Sequence, residues 1–138
     1  MKYFTINELT TTSQKLPNVP NAEQTAALQA LVKNVLDPAR ELLGTSININ
    51  SGFRSQAINT AIKGAVNSQH CKGEAADIRC TDKAKLFGII RNKLPFDQLI
   101  WEHGDDKQPG WIHVSFRADG KNRKQVLRIY QNGKCIVL

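Results

Sequence analysis

Histidine and cysteine are both scarce in this chain, with three of each among 138 residues. The cysteines, Cys71, Cys80 and Cys135, are odd in number and form no CxxC pair. This argues against a disulfide-stapled fold and against a structural zinc site built on cysteines. Cys71 directly follows a histidine, so a metal ligand or a nucleophile is one interpretation. No neighbouring group marks Cys71 as an activated thiol, and we expect it to have a packing role only.

Long apolar segments are missing as well. No apolar run approaches the roughly 20 residues that a membrane-spanning helix needs, so we expect no membrane span. The N-terminal stretch MKYFTINELTTTSQ has no continuous apolar core behind a basic start, and we therefore expect no secretory signal peptide. Repeats, low-complexity tracts and linkers are also absent, and 41% of the residues are hydrophobic. The composition thus predicts a single globular domain over residues 1–138, which we expect to be a monomer.

The net charge is +7, from 19 Lys and Arg against 12 Asp and Glu. Much of the excess lies late in the chain, at Arg117, Lys121, Arg123, Lys124, Arg128 and Lys134. Two interpretations are open: a solvated basic face, or a surface that attracts an anionic polymer such as bacterial wall. No nucleic-acid-binding motif accompanies this charge, so we expect no nucleic-acid partner.

Helical periodicity and capping residues predict three helices, over residues 22–43, 55–63 and 82–94. Asn21 is the expected N-cap of the first helix, and Gly44 is its expected end. The apolar stripe of this helix runs to Leu42 and Leu43. Pro38 should kink the helix or split it in two.

Apolar alternation predicts strands in the middle and last third of the chain. The stretches are SININS, AADIRC, FDQLIWE, GWIHVSF, QVLRIYQ and KCIVL. Asn132-Gly133 indicates a tight hairpin between the last two. Helices first and strands later predict an α+β domain, with N-terminal helices and a C-terminal antiparallel sheet.

The segment SQHCKGEAAD places His70 and Asp77 on either side of a glycine. Gly73 and the strand-like AADIRC argue against a helix here. We therefore expect His70 on a loop, a turn at Gly73, and Asp77 presented to a cleft by the following strand. A buried carboxylate without a partner is strongly destabilising, so Asp77 should bind a cation.

The strand GWIHVSF carries another histidine. Its aliphatic and phenylalanine side chains alternate as a core-facing stripe, which turns Trp111 and His113 to the opposite face. Two histidines and one carboxylate form a common catalytic zinc shell with an open position for water. His70, Asp77 and His113 are therefore the candidate ligands.

Glu102 is the candidate general base for such a site. Alternation in FDQLIWE puts Glu102 and Ile100 on one face, and a short connection then returns the chain to the strand of His113. A surface glutamate at a strand end is the alternative interpretation. His103 competes for the same role, but we expect its side chain to point the other way.

These motifs resemble those of a known family. SQHCKGEAAD matches the S-x-H-x-x-G-x-A-x-D signature of the zinc D-Ala-D-Ala carboxypeptidases (peptidase family M15), and SGFRS and GWIHVSF resemble its other two landmarks. The likeness covers roughly residues 3–117 and extends to the small phage endolysin-like L-alanyl-D-glutamate peptidases. It implies a Hedgehog/DD-peptidase-like fold, one zinc ion per chain, and cleavage of amide bonds in peptidoglycan stem peptides.

By this resemblance, His70, Asp77 and His113 are the zinc ligands. Arg54 would lie in the active site near the substrate or the developing oxyanion, and Ser68 would hydrogen-bond within the site. The implied reaction is metal-assisted amide hydrolysis. If the chain acts on the wall without a signal peptide, we expect synthesis in the cytoplasm and release by another route, such as a phage or prophage provides.

The chain departs from the family in one respect. Many members have a glutamate three residues before the last histidine, and some have a histidine two before it; here these positions hold Gly110 and Trp111. The base must then come from elsewhere, and Glu102 is the candidate. The missing glutamate also leaves open a catalytically inactive domain that binds wall peptide or a protein partner. Trp111 is either a wall of the substrate cleft or a packed side chain.

Overall fold

The computed structural model describes residues 1–138 and has one six-stranded sheet whose core face is covered by helices. The order of the strands across the sheet is β1-β2-β4-β3-β5-β6. Their bounds are β1 Asn48–Ser51, β2 Ala75–Arg79, β3 Gln98–Glu102, β4 Trp111–Ser115, β5 Gln125–Ile129 and β6 Cys135–Val137. The predicted α+β class is confirmed.

Five α-helices accompany the sheet: α1 Ile6–Thr10, α2 Ala22–Leu31, α3 Asp37–Leu43, α4 Gln56–Ala61 and α5 Lys83–Lys93. Asn21 caps α2 as predicted, because its side chain accepts the backbone N–H of Gln24 while the Gln24 side chain returns the contact. Asp82 caps α5 in a similar way. No helix combines the length and the apolar character that crossing a membrane requires.

The long predicted helix is continuous but contains a wider turn. Residues Val32–Leu36 form a π-helix that joins α2 to α3, and the N–H of Asp37 bonds to the carbonyl of Val32. The turn lies just before Pro38, which has no N–H to donate. The extra residue rotates the rest of the helix, so Leu42 is 46% exposed although its periodicity predicted a core position.

The strand pairs are antiparallel except for β3 and β5, which run parallel. The prediction of a purely antiparallel sheet in the last third of the chain was therefore wrong for one strand pair. The chain leaves β4 and crosses to the far side of β3, so β5 enters beside β3 in the same direction. The hairpin predicted at Asn132-Gly133 is present between β5 and β6.

Alternation along the central strands separates two faces of the sheet. One face packs against the helices in the hydrophobic core and includes Ile78, Leu99, Ile112, Val114 and Val126. The opposite face lines an open cleft with Asp77, Gln98, Ile100, Glu102, Trp111 and His113. The core-facing residues hold the strands in register, and that register determines how the cleft-facing residues are arranged.

The turn that precedes β2 depends on Gly73. This residue has a φ of +74°, and a Cβ there would lie 2.4 Å from the carbonyl oxygen of Gln24 in α2. The Gln24 side chain also donates to the carbonyl of Cys71 at 3.1 Å. The turn that carries His70 is therefore held directly against α2.

We predict that Gly73→Ala lowers the free energy of unfolding by more than Gly120→Ala does. Both glycines have positive φ, but a Cβ at Gly120 meets no atom within 4 Å. Gly120→Ala should show only the backbone strain of about 1–2 kcal/mol. Gly73→Ala adds a backbone clash of about 1–3 kcal/mol. Urea unfolding of both variants measures the difference, and equal losses would contradict the close approach.

Candidate active site

His70 is held by its surroundings in one orientation. It lies on a single 3₁₀ turn, Gln69–Lys72, rather than on the predicted loop, because the Ser68 hydroxyl accepts the N–H of His70 and caps the turn. Its side chain is buried, and Nδ1 donates to the carbonyl of Gly52 at 2.7 Å. In a neutral ring, this bond leaves Nε2 as the nitrogen with the lone pair, which is the usual arrangement of a metal-binding histidine.

Asp77 lies between two histidines. Asp77 on β2 and His113 on β4 are register partners, and Oδ1 of Asp77 is 3.0 Å from Nδ1 of His113. The same oxygen is 3.4 Å from Nε2 of His70. The candidate ligand atoms of the three residues all lie within 4.8 Å of one another.

The carboxyl of Asp77 is ionised in this setting. Burial acts to raise its pKa, but the hydrogen bonds from His113 and His70, and the positive charge of these rings when protonated, outweigh burial and hold the pKa of Asp77 well below its usual range. One carboxylate and two imidazoles are the donor set of many hydrolytic zinc sites. The three side chains could therefore hold a metal ion, and the adjoining cleft leaves space for substrate.

Glu102 faces the same cleft. It ends β3 opposite Trp111, which makes it the diagonal neighbour of His113 across the strand pair. Burial raises the pKa of Glu102; the charge of His113 opposes this rise and that of Asp77 adds to it. The cleft has a volume of about 430 Å³, and Arg54, Ser68 and Trp111 also line it.

His103 is outside this lining. Its φ of +54° ends the extended backbone, so strand alternation stops at Glu102. Its ring packs edge-on against the indole of Trp111, with the centroids 4.7 Å apart. His103 therefore supports a wall of the cleft, and the structure brings Glu102 rather than His103 into it.

Arg54 and Ser68 are also brought together. Nη2 of Arg54 donates to the hydroxyl of Ser68 at 3.2 Å, and the backbone N–H of Arg54 donates to the carbonyl of His70 at 3.1 Å. Nε of Arg54 is buried and donates to no protein acceptor.

Cys71 is separate from the three candidate ligands and lines a different groove beside α2. Burial raises the pKa of its thiol, and the charge of Arg54 opposes the rise only in part. A raised thiol pKa disfavours the thiolate that a nucleophile or a metal ligand requires.

Sequence reasoning missed a polar network at one end of the cleft. Asp97 is fully buried, and its carboxylate accepts Nε and Nη2 of Arg123 at 3.0 and 2.7 Å. Gln69 donates to the same carboxylate at 3.0 Å. Arg123, one of the late basic residues, is thus bound at the cleft through its guanidinium, although its side chain stays 52% exposed. The available signal was an aspartate placed directly before an apolar strand.

The side chains of the cleft define a class of protein. Two histidines and a carboxylate at the floor of an open cleft, with a second carboxylate beside them, are typical of metal-dependent hydrolases. A family model described as Peptidase M15 matches residues 2–115, and the chain belongs to this family. No curated protein matches the chain.

We predict that the Asp97–Arg123 pair makes stability depend on pH. The hydrogen bonds from Arg123 outweigh burial and lower the pKa of Asp97 in the folded state. A lowered folded pKa adds stability above the unfolded value of about 3.9, and this stability is lost as the pH falls through the folded pKa. Asp97→Asn should therefore lose about 1–3 kcal/mol of unfolding free energy at pH 7 and less at pH 3.

Urea unfolding at both pH values measures this difference, with Asp119→Asn as the control. Asp119 also pairs with an arginine, Arg117, but on the surface, and neither partner is fully buried. An Asp97→Asn variant with wild-type stability at both pH values would contradict the assignment.

Proposed function

We propose that the protein is a zinc-dependent peptidase that hydrolyses amide bonds in peptidoglycan stem peptides. The observation that carries this proposal is the convergence of His70, Asp77 and His113 at the floor of a cleft that Glu102 also lines. Membership of the Peptidase M15 family supports the same reaction class. The open cleft suits an extended peptide, which a closed cavity would exclude.

The side chains of the site have different roles in hydrolysis. A zinc ion held by His70, Asp77 and His113 would supply Lewis acidity to the scissile carbonyl and to the attacking water. Glu102 accepts a proton as the water oxygen bonds to the carbonyl carbon. It then delivers this proton to the amide nitrogen as the C–N bond breaks. Burial favours this role because a raised pKa brings Glu102 closer to neutral pH.

Arg54 and Trp111 act on the substrate. Arg54 lines the cleft, and its guanidinium can donate to the oxyanion that forms on the carbonyl oxygen, where preorganised donors stabilise the transition state. Ser68 holds the same guanidinium through Nη2. Trp111 forms a wall of the cleft and is itself supported by His103.

The bond that is cleaved distinguishes two members of this class. A D,D-carboxypeptidase releases the terminal D-alanine, whereas an endolysin-like enzyme cuts between L-alanine and D-glutamate. Mass spectrometry of the products from purified peptidoglycan assigns the bond directly. The wall substrate also implies that a protein made in the cytoplasm reaches its target by release, and that anionic wall polymers can contact its basic surface.

The second candidate is a catalytically inactive domain that binds wall peptide or a protein partner. Its support is Gly110, which stands where many family members have a catalytic glutamate. A glutamate that reaches the cleft from the preceding strand favours the enzyme instead. Turnover of stem peptide by the zinc-loaded protein decides between the two.

We predict that the purified protein binds about one zinc ion per chain and that His113→Ala weakens binding by more than about 100-fold. Changes to residues that only support metal ligands already weaken binding by about 10–100-fold. Calorimetric titration of the chelator-treated protein with zinc measures both values. His103→Ala is the matched control because it removes a histidine outside the ligand group. Equal zinc affinity in the two variants would contradict the site.

We predict that Glu102→Gln lowers kcat by about 10²–10⁴-fold and leaves zinc binding intact, because the amide is nearly isosteric but cannot accept the proton. KM should change little, as expected when an interaction is made chiefly in the transition state. Steady-state kinetics on a soluble stem peptide measures both constants.

His103→Gln is the control for this substitution and should retain nearly wild-type turnover. If His103→Gln is inactive and Glu102→Gln is fully active, the general base is His103 and not Glu102. Full activity in both variants would contradict a base at this end of β3.

A further inference from the structure

Arg123 presents half of its guanidinium to the cleft and uses the other half to hold Asp97. Nε and Nη2 donate to the two oxygens of Asp97, and the backbone N–H of Arg123 donates to Oδ1 at 2.9 Å. Nη1 and the second hydrogen of Nη2 donate to no protein acceptor. The side chain of Arg123 is 52% exposed, whereas that of Asp97 is completely buried.

The contacts around Asp97 fix Arg123 in place. Gln69 donates to Oδ2 of Asp97, so the carboxylate accepts four hydrogen bonds in all. The two parallel bonds between guanidinium and carboxylate restrict both the position and the plane of the guanidinium. An arginine held this way loses little further side-chain entropy when it binds a ligand.

The strand register shows where Arg123 lies relative to the candidate metal ligands. Ile100 on β3 is opposite His113, and Gln98 is opposite Gln125 on β5. Arg123 comes two residues before Gln125 and therefore lies beside the start of β3. Glu102 lies at the end of β3. Arg123 is therefore level with Phe96, four residues before Ile100, and roughly 13 Å along the strand separate these two levels, which is the span of about four extended peptide residues.

Arg123 also joins two spaces on the surface. It lines the 430 Å³ cleft together with the candidate ligands and an adjacent cavity of about 320 Å³. The adjacent cavity has no hydrophobic lining residue. Lys72 adds positive charge to it, whereas Arg117 is paired with Asp119. Asp97 and Glu74 are the acids among its lining residues, and Asp97 is already paired. Arg123 thus borders a polar space, and the donors of its free guanidinium edge suit an anion there.

We infer that Arg123 is a substrate-binding residue that takes a carboxylate of the stem peptide at the end of the cleft opposite Glu102. The inference rests on the proposed function, because that function supplies the peptide. A carboxylate matches the planar pair of donors that Arg123 leaves free, whereas a carboxamide offers only one acceptor oxygen. The enzyme would therefore discriminate between stem peptides with a free carboxyl and those in which it is amidated.

Two carboxylates of a lysine-type stem pentapeptide could fill this position: the α-carboxylate of D-glutamate and the terminal carboxylate of D-alanine. Three synthetic peptides separate them: the unmodified pentapeptide, its D-glutamate α-carboxamide and its C-terminal carboxamide. Affinities are measured calorimetrically with the zinc-loaded Glu102→Gln protein, and turnover is measured separately with the zinc-loaded wild-type enzyme.

The expected result is that one amidated peptide binds about 10–100-fold more weakly than the unmodified peptide, the loss expected for a charge-assisted hydrogen-bond pair. The peptide that loses affinity identifies the carboxylate. Adding Arg123→Gln should bring all three affinities to nearly the same value. Lys121→Gln is the matched control, since it removes the same charge two positions away and should leave the discrimination unchanged.

Arg123→Gln leaves Asp97 without its cation, so the double substitution Asp97→Asn/Arg123→Gln is measured as well and should behave the same way. Equal binding of all three peptides before Arg123 is changed, absence of binding, or discrimination that survives both Arg123 variants would each overturn the inference. The proposed function fails on a different result, namely that the wild-type enzyme cuts none of the peptides.

Discussion

The buried carboxylate of Asp77 is the constraint on which the rest of the site depends. An ionised group removed from water needs positive or hydrogen-bonding partners, and Asp77 has two histidines within 3.4 Å. The register of β2 and β4 supplies His113, and the 3₁₀ turn packed against α2 supplies His70. The carbonyl of Gly52 then orients His70. The helices and the sheet together therefore position the histidines around the carboxylate of Asp77.

The cleft is organised along β3, with a different chemistry at each end. Glu102 at the end of the strand is half-buried and faces the scissile bond in the proposed reaction. Arg123, at the start of the strand, is fixed by buried Asp97 and offers donors to an anion. Ile100 lies between them, opposite His113. A substrate bound along this strand would contact the proton-accepting Glu102 at one end and the anion-binding Arg123 at the other.

The sequence predicted those features that follow from local patterns. Alternation in two strands correctly assigned the faces of His113 and Glu102, because a period of two depends only on neighbouring residues. The pairing of Asp97 with Arg123 joins residues 26 positions apart, and no local period encodes it. The parallel alignment of β3 and β5 was missed for a similar reason, since it depends on where the chain crosses the sheet. Leu42 was misplaced because one additional residue in a π-helix is invisible to an ideal helical repeat.

The most direct test of the account is anomalous diffraction at the zinc absorption edge from crystals of the zinc-loaded protein. We expect one strong peak about 2.0–2.2 Å from Nε2 of His70, from an oxygen of Asp77 and from a ring nitrogen of His113. No protein ligand should come from Cys71. A peak at another position, or none after soaking with zinc, would contradict the central claim that this chain builds a catalytic metal centre on Asp77.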